Sequence, residues 1–519
     1  MFSWRVTCSL RPHWPGRNCP VKPAGAHPGV RVEKFLARQH RLLIGGEWAA
    51  SVSGARYDTL NPATGQPIAN VARADGADVD CAVDAARRAF EGVQWSGLSC
   101  SARARLLWRF ADLLEENASE LVELEVLNNG MPKAFAGWGV AASASWLRHF
   151  AGMAVRVLGQ NASAAVSGDG AQFHAYTARE PVGVVGLIIP WNGPIGTFVI
   201  KVAPALAAGC TCVVKVAEDT PLTALRLGEL ALEAGIPAGV LNVVTGFGDA
   251  GAALVAHAGV DKISFTGSTE TGKTVLRSAA DSVKRVTLEL GGKSPCVVFD
   301  DADLAQAIPG AAMAIFANTG QVCFAGSRLY VQRKVFDRVV EGVADFARSL
   351  KVGSGLSAEN QIGPLISEKQ RRRVCEYIAL GSQEGGQIVA GGKVREGDGF
   401  FVEPTVFTNL SSSARIVKEE IFGPVVVATP FDDVDEVVGL ANDTQYGLGA
   451  GIFTNSLSRA HILAGRLQAG NVWINCYGVM NPSMPFGGFK QSGIGKEMGD
   501  EGFSAFLETK SVYINLGGA

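Results

Sequence analysis

The sequence has little that points to metal binding or to a disulfide framework. Its 519 residues include 10 cysteines and 7 histidines, with no CxxC pair, no HExxH motif and no Cys/His cluster at zinc spacing. We infer a reducing compartment and expect no bound metal. Opposite charges nearly cancel, with 47 Lys plus Arg against 49 Asp plus Glu, so no basic field favours nucleic acid or an anionic membrane. A small, nearly neutral partner is expected instead.

Long uninterrupted apolar helices are also missing. The uncharged run at 181–200 contains three prolines and four glycines, which exclude a membrane span. Residues 1–32 contain no Asp or Glu and five cations, as in a transit peptide, but five prolines oppose an amphipathic helix and no apolar secretory core is present. We expect residues 1–35 to be a disordered extension or to reflect an upstream start. A cytoplasmic location is expected, with mitochondrial targeting as the alternative.

Alternating patterns indicate the fold class. Residues 77–128 carry apolar side chains at three- and four-residue spacing, which predicts helices that stop at the Asn-Asn-Gly of residues 128–130. From residue 181 to 290, runs such as VGVVGLII, TCVVKV, LNVVT, KISFT and VTLEL alternate with helical segments. This alternation predicts βαβ units, a parallel sheet and nucleotide chemistry at the carboxyl ends of its strands. The length corresponds to about three domain-sized units.

Two glycine-rich motifs compete for a phosphate group. GFGDAG, with Gly246 and Gly248, fits the dinucleotide pattern GxGxxG after a predicted strand. GSTETGKT, Gly267–Thr274, fits the Walker A pattern, and VVFDD further on is similar to a Walker B strand. A P-loop NTPase is therefore an alternative. Against it, Glu270 puts a carboxylate in a loop that would have to bind phosphates.

A lone cysteine and a glutamate are the candidate reacting groups. FANTGQVCFAGSR holds Cys323 between Gly320 and Gly326, where converging backbone amides would stabilise a thiolate, the form that attacks carbon. The alternative is an inert buried cysteine. TLELGGKSP follows a predicted strand and holds Glu289 beside paired glycines. The hypothesis is that Cys323 is the nucleophile and that Glu289 is a general base of the same reaction.

GQVCFAGSR and LELGGKSP, together with PWN, FTGSTETG, EEIFGP and PFGGFKQSG in that order, resemble the signatures of the aldehyde dehydrogenase superfamily over residues 40–517. Phenylacetaldehyde dehydrogenases look most similar. The resemblance implies an α/β fold with a Rossmann-like NAD-binding domain (36–158 and 180–290), an α/β catalytic domain (291–495) and a small β arm (159–179 and 496–519). The arm would join the chains of a homodimer or homotetramer.

The resemblance also implies roles for individual residues. The side chain of Asn192 and the backbone N–H of Cys323 would stabilise an oxyanion, and Lys201 would orient the proton relay. Besides Gly246 and Gly248, the cofactor would be held by Ile189, Pro190, Trp191, Lys215, Glu218, Phe265, Gly267, Ser268, Gly272, Leu290, Glu420 and Phe422. The proline usual after the family's lysine is Val216 here, which leaves that turn open. A carboxylate at Glu218 would bind ribose hydroxyls and repel a 2′-phosphate, which favours NAD over NADP.

The same residues suggest a reaction and a substrate. A thiolate adds to the aldehyde, hydride leaves for nicotinamide, and Glu289 activates the water that hydrolyses the thioester. A base at this point argues against transfer to coenzyme A. Gly193, Thr197 and Ile200 stand where relatives often have bulky side chains, and Phe324 adds an aromatic face. We therefore expect an aryl or branched hydrophobic aldehyde, with aliphatic or amino aldehydes as alternatives.

Overall fold

The structure is a computed structural model that describes residues 28–166, 172–395 and 397–516. Its α-helices are α1 Val30–Leu36, α2 Gly76–Glu91, α3 Val93–Ser96, α4 Cys100–Glu116, α5 Ala118–Asn129, α6 Lys133–Ala154, α7 Pro194–Ala208, α8 Leu222–Glu233, α9 Gly248–Ala256, α10 Thr269–Ala280, α11 Leu304–Phe316, α12 Phe336–Ser349, α13 Glu368–Gln383, α14 Arg415–Lys418, α15 Val434–Asn442, α16 Leu457–Arg466 and α17 Gly499–Ser504. Short 3₁₀ helices occur at Ala317–Gly320, Arg333–Val335 and Lys490–Ser492. Within these ranges, no helix combines the length and the apolar character needed to cross a membrane.

The strands form two large sheets and two small ones. They are β1 Leu42–Ile44, β2 Glu47–Ala49, β3 Arg56–Asn61, β4 Gln66–Ala72, β5 Asn161–Val166, β6 Gln172–Pro181, β7 Val184–Ile188, β8 Thr211–Val216, β9 Leu241–Thr245, β10 Lys262–Thr266, β11 Arg285–Glu289, β12 Pro295–Val298, β13 Arg328–Gln332, β14 Gln387–Ala390, β15 Thr405–Thr408, β16 Val425–Phe431, β17 Gly449–Phe453, β18 Asn471–Ile474, β19 Gly493–Ile494 and β20 Leu507–Asn515. β3 pairs only with β4 among the described strands.

The first large sheet confirms the predicted α/β fold. Its strand order is β19-β11-β10-β7-β8-β9-β1-β2, and β7 to β11 are mutually parallel. Helices cover both faces: in β7, Val185 and Leu187 pack into one apolar cluster, and Val184 and Ile188 into another. Burial on both faces explains the near-continuous apolar runs of these strands.

The strand order reverses at β7, and this places the functional segments. β8 and β9 lie on one side of β7, whereas β10 and β11 lie on the other. Ligands of doubly wound sheets bind outside the carboxyl ends of the strands at such a reversal. The segment 189–192 follows β7 there, and Gly267 and Ser268 follow β10. Lys215 and Glu289 lie at the same edge, near the ends of β8 and β11.

The second large sheet carries the cysteine loop. Its order is β14-β15-β16-β13-β12-β17-β18, and all of its pairs except β14 with β15 are parallel. Residues 290–294 link β11 of the first sheet to β12 of the second, and the loop with Cys323 leads into β13. The two candidate reacting groups therefore belong to the junction of the two sheets.

A three-stranded antiparallel sheet, β20-β6-β5, includes the segment predicted to be a protruding hairpin. β6 and β20 pair continuously from Pro181 with Leu507 to Phe173 with Asn515. Residues 167–171, between β5 and β6, lie outside the described residues. The predicted role of this arm in oligomerisation stays a prediction.

The prediction of a disordered extension over residues 1–35 is wrong for its last part. Residues 1–27 lie outside the described residues, but α1 begins at Val30. Val32 and Phe35 are buried, and the backbone N–H of Gly29 donates to Glu123 Oε2 at 2.8 Å. The proline-rich composition without acidic residues that was used for the prediction overlaps the start of this helix, whose apolar residues contact α5.

Candidate active site

The loop before the candidate nucleophile has an unusual backbone. After α11, residues Asn318, Thr319 and Gly320 all have positive φ, at 46°, 57° and 69°. A Cβ atom at Gly320 would lie 2.1 Å from the carbonyl oxygen of Gly423, so no larger residue fits. Left-handed backbone at non-glycine residues costs energy and is typical of functional sites. This turn presents Cys323 between the two sheets.

Side-chain amides join this loop to the candidate oxyanion residue. Asn192 Nδ2 donates to the carbonyl of Gln321 at 3.0 Å, and Asn318 Nδ2 donates to the carbonyl of Asn192 at 2.9 Å. Gln321 is held in turn, because its Oε1 accepts the backbone N–H of Ile366 at 2.9 Å. The structure thus brings Asn192 and the cysteine loop together. Sequence analysis missed Asn318 and Gln321, although amide side chains beside a candidate nucleophile were visible in FANTGQVC.

The thiol of Cys323 is not activated as the sequence suggested. Burial raises the pKa of Cys323 above its ordinary value, and the nearby carboxyl groups of Glu289 and Glu420 raise it further. The backbone N–H groups of Phe324 and Cys323 lower the pKa but do not offset these effects. The two N–H groups act in the expected direction, but in this structure desolvation and the two carboxyl groups outweigh them, although Cys323 is only half-buried. A base or an added positive charge has to assist.

Glu289 ends β11 as a buried carboxyl group. It is 3% exposed, and neither of its oxygens has a hydrogen-bond partner among the described residues. Burial raises the pKa of Glu289 well above its ordinary value, and the charge of Glu497 raises it further, whereas Lys201 and Lys496 lower it. An unpaired buried carboxyl with a raised pKa is a candidate proton acceptor.

Lys201, on α7, is buried. Its Nζ donates to Ser264 Oγ at 2.9 Å and forms an ion pair with Glu497. Lys496 donates to the carbonyl of Gly487 at 2.6 Å, and burial lowers its pKa. A small cavity among these groups is lined by Ile200, Pro204, Ser264, Thr287, Lys496, Glu497, Met498, Gly502 and Phe506.

Sequence analysis missed Lys496 and Glu497. Their signal was a pair of opposite charges directly after the glycine-rich PFGGFKQSGIG. After burial, which is the largest cause, the charge of Glu497 raises the pKa of Glu289, whereas that of Lys496 lowers it.

The two residues predicted to hold the adenosine ribose lie together. Lys215 Nζ is 3.4 Å from Glu218 Oε2, and the Glu218 side chain is 41% exposed. Burial lowers the pKa of Lys215, while the charge of Glu218 opposes that shift. An accessible carboxylate beside a lysine can accept hydrogen bonds from ribose hydroxyls. Ile189, next to them, donates its backbone N–H to the carbonyl of Lys215 at 3.1 Å.

The predicted nicotinamide end is strained and aromatic. Glu420 Oε1 accepts the backbone N–H of Gly292 at 3.1 Å, and burial raises the pKa of Glu420 to about 7. Phe422 has φ of 62°, and Gln370 holds its carbonyl with a hydrogen bond of 2.8 Å. The rings of Trp191 and Phe422 meet edge to face with centroids 5.2 Å apart. Pro190 precedes Trp191 directly.

Of the two glycine motifs, only the second lies at the strand reversal. Gly246 and Gly248 follow β9, two strands away from β7, and Asp249 in the first turn of α9 pairs with Arg73 at 3.0 Å. Ser268 caps α10 by accepting the N–H of Thr271 at 3.3 Å. Both helices carry an acidic residue in the first turn, so the position of α10 at the strand reversal is what favours its N-terminus as the phosphate site.

Close packing explains other residues of the second motif. A Cβ atom at Gly267 would lie 2.5 Å from the ring of Phe265, and one at Gly272 would lie 2.5 Å from Leu290 Cδ2. Lys273, the lysine that a P-loop would direct at phosphates, pairs instead with exposed Glu270 at 2.8 Å. This geometry does not support the NTPase alternative.

Aromatic side chains surround the residue after the cysteine. The ring of Phe324 lies 5.3 Å from that of Trp473, 5.8 Å from Phe486 and 6.4 Å from Tyr477. Tyr477 donates its hydroxyl to the carbonyl of Phe324 at 2.6 Å. We call these four residues the aromatic cluster.

The other predicted substrate residues, Gly193, Thr197 and Ile200, are not part of the aromatic cluster. A Cβ atom at Gly193 would meet nothing within 4 Å, and Thr197 Oγ1 donates to the Gly193 carbonyl at 2.7 Å. Ile200 lines the small cavity beside Glu497. Its predicted place in an aldehyde tunnel stays a prediction.

Known proteins are similar to this chain over most of its length. The model of the aldehyde dehydrogenase family matches residues 48–512. The chain is 47% identical to phenylacetaldehyde dehydrogenase of Pseudomonas fluorescens, over 92% of this chain and 96% of that protein. It is 45% identical to mitochondrial aldehyde dehydrogenase of Homo sapiens, over 94% of each. The NAD⁺ complex of aldehyde dehydrogenase from Bacillus cereus superposes with a TM-score of 0.92 at 46% identity, covering 95% of this chain and 99% of that one.

The raised pKa of Cys323 predicts slow alkylation in the absence of added cofactor. Because iodoacetamide reacts with the thiolate, modification of Cys323 should keep accelerating from about pH 7 to 10, whereas a free cysteine peptide levels off above its pKa of about 8.5. Mass spectrometry of the peptide containing Cys323 measures the rate. A plateau for Cys323 below that of the control peptide would contradict the burial argument.

Proposed function

The chain belongs to the aldehyde dehydrogenase family, an oxidoreductase family, and on this basis we propose that it oxidises a hydrophobic, aromatic aldehyde to the carboxylic acid with NAD, through a thiohemiacetal and a thioester on Cys323. The observation that carries the proposal is the hydrogen bond from Asn192 to the carbonyl of Gln321. It fixes a side-chain donor close to the nucleophile loop, where oxygen gains negative charge when sulfur adds.

The chain offers suitable groups for NAD. The carboxylates of Glu218 and Glu420 would accept hydrogen bonds from ribose hydroxyls. The N-terminus of α10 at Ser268 would bind the pyrophosphate. Trp191 and Phe422 would border the nicotinamide end. NAD, when bound, supplies the acceptor for the hydride that the substrate loses. The NAD⁺ complex of the Bacillus cereus enzyme supports this assignment.

The chain's own residues would perform the remaining steps. The Cys323 thiol gives its proton to solvent and the sulfur adds to the aldehyde carbonyl. The resulting oxyanion accepts hydrogen bonds from Asn192 Nδ2 and the backbone N–H of Cys323. Collapse of the adduct leaves a thioester on the sulfur. Glu289 then takes a proton from water, which attacks the thioester and releases the acid and the thiol. The ion pair between Lys201 and Glu497 would keep both charged groups in place near Glu289 during this transfer.

The aromatic cluster supports the substrate class. A ring bound near Phe324 would gain about 0.5–1.5 kcal/mol from aromatic contact beyond simple burial. Gly193 leaves space beside Asn192. Similarity to a phenylacetaldehyde dehydrogenase adds support. An aliphatic or amino aldehyde is the alternative substrate.

The proposal includes the organisation of the chain. The residues 36–158 and 180–290 would bind NAD, and 291–495 would complete the catalytic domain. The arm at 159–179 and 496–519 would join the chains of a homodimer or homotetramer. Exposed Tyr513 and Ile514 on β20 offer apolar contacts for such an assembly. Cysteine usage favours a cytoplasmic location.

Replacing Glu289 with glutamine tests the mechanism. Hydride transfer precedes the step that needs the base, so Glu289→Gln should release one NADH per active site in a burst and then turn over at least about 100-fold more slowly. Rapid mixing with absorbance detection measures both phases. Glu341→Gln, an exposed glutamate on α12, is the matched control. Loss of the burst itself would contradict the assigned role.

Cofactor preference depends on the charge at Glu218. Glu218→Ala removes an acceptor for the ribose hydroxyls and a charge that repels a 2′-phosphate. We therefore expect kcat/KM for NAD to fall, and the ratio of kcat/KM for NADP to that for NAD to rise about tenfold. Glu218→Gln keeps the size but not the charge and should shift the ratio in the same direction. Steady-state kinetics with both cofactors check this. An unchanged ratio in both variants would show that another group distinguishes the two cofactors.

Filling the space at Gly193 tests the substrate class. Gly193→Trp should lower kcat/KM for phenylacetaldehyde about tenfold more than for acetaldehyde, because the lost volume penalises only the larger ligand. Gly193→Ala is the control for the backbone change. Equal losses for both aldehydes, or a wild-type preference for acetaldehyde, would contradict the substrate proposal but not the mechanism.

A further inference from the structure

The C-terminus of α5 carries two adjacent buried asparagines without an assigned role. Asn128 and Asn129 are 1% and 0% exposed, and the helix ends directly after them at Gly130, which has φ of 88°. Asparagine has no hydrophobic reason to occupy such positions, because each buried amide needs partners. The partners of these two amides belong to different ends of the proposed NAD site.

Asn128 holds the segment after the ribose carboxylate. Its Nδ2 donates to the carbonyl of Asp219 at 3.0 Å and to Thr59 Oγ1 at 2.8 Å. Its Oδ1 accepts the backbone N–H of Leu222, the first residue of α8, at 3.1 Å. Asp219 directly follows Glu218, so this one amide connects the proposed ribose residue to α5.

Asn129 holds the segment with the oxyanion donor. Its Nδ2 donates to the carbonyl of Trp191 at 2.6 Å, and its Oδ1 has no partner among the described residues. Asn318 holds the next carbonyl, that of Asn192. Successive carbonyls of this segment are thus bound from two sides, by α5 and by the cysteine loop.

The end of α5 cannot easily shift. A Cβ atom at Gly130 would lie 2.6 Å from Pro364 Cγ and 2.8 Å from Pro62 Cγ. A Cβ atom at Gly363 would lie 2.1 Å from the Gly130 carbonyl oxygen. Gly363 also accepts a hydrogen bond of 3.0 Å from Thr319, in the cysteine loop. The helix end is therefore wedged between the loop after β3 and the loop between α12 and α13.

We propose that Asn128 and Asn129 are positioning residues that fix the spacing between the adenosine-ribose end of the cofactor site and the oxyanion donor Asn192. The rigid end of α5 sets this spacing, with one amide for each end. The inference rests on the proposed function. It assigns the effect of Asn128 to NAD binding and that of Asn129 to the chemical steps.

Separate kinetic constants test this division. Asn129→Asp, nearly equal in size but without the donor, should lower kcat for aldehyde oxidation about 10- to 100-fold, the cost of a misplaced catalytic group, with KM for NAD changed less than about threefold. Asn128→Asp should raise KM for NAD by about tenfold or more and lower kcat less. Asn117→Asp, at the other end of α5, is the matched control: Asn117 Nδ2 donates to the Leu113 carbonyl, and its Oδ1 accepts a hydrogen bond from Arg226.

A reaction that needs no cofactor separates positioning from stability. In hydrolysis of p-nitrophenyl acetate, the Cys323 sulfur displaces p-nitrophenol, which leaves with the thiol proton, and water then releases acetate from the thioester. This rate should fall in Asn129→Asp as much as kcat does, and clearly less in Asn128→Asp. Equal changes of all constants in both variants, following a lowered melting temperature, would overturn the proposal, as would wild-type kinetics of Asn129→Asp.

Asn129→Asp adds a negative charge as well as removing the donor. Asn129→Leu removes the donor without adding a charge, so it separates the two effects. The loss of oxidation and ester hydrolysis in both Asn129 variants is the expected result. Cys323→Ala distinguishes failure of the proposed function from failure of the positioning role. If Cys323→Ala stays active, the proposed function fails; if Cys323→Ala is inactive and Asn129→Asp is fully active, only the present inference fails.

Discussion

The reciprocal hydrogen bonds between Asn192 and the cysteine loop are the contact on which the site depends. Asn192 Nδ2 binds the Gln321 carbonyl, and Asn318 Nδ2 binds the Asn192 carbonyl. Asn192 follows a strand of the first large sheet, and the cysteine loop leads into the second. Each sheet alone contributes only part of the chemistry, so the relative position of the two sheets decides whether donor and nucleophile face the same substrate atom. The left-handed turn at residues 318–320 is the energetic cost of this arrangement.

Burial has two opposite effects at this site. It strengthens hydrogen bonds to a developing oxyanion, since a low dielectric amplifies electrostatic interactions. It also disfavours charge on the reacting groups themselves, and this raises the pKa of both Cys323 and Glu289. The cations Lys201 and Lys496 lower the pKa of Glu289 in part. The ion pair of Lys201 with Glu497 keeps one cation in place. A site of this kind is poised to move protons, but it does not hold a permanent thiolate.

Much of the fold could be predicted because it depends on local pattern. Alternating β-rich and helical runs led to a parallel sheet. The motifs singled out Cys323, Glu289 and Asn192, which the structure places at the junction of the two large sheets, and their chemical roles stay a prediction. What failed depended on long-range contacts or on solvent exclusion. Helix α1 is stabilised by burial of Phe35 against α5, and the pKa of Cys323 is governed by desolvation. Glu497 reaches Lys201 across nearly 300 positions, a pairing that no sequence spacing reveals.

The central claim is that the substrate becomes covalently attached to Cys323. Acid quenching of the enzyme during turnover with phenylacetaldehyde and NAD, followed by digestion and mass spectrometry, tests it most directly. The account predicts the mass of the acyl group on the peptide that contains Cys323, and no such mass when NAD is omitted. An acyl group on a different cysteine, or its absence from Cys323 in the slow Glu289→Gln variant, would contradict the account.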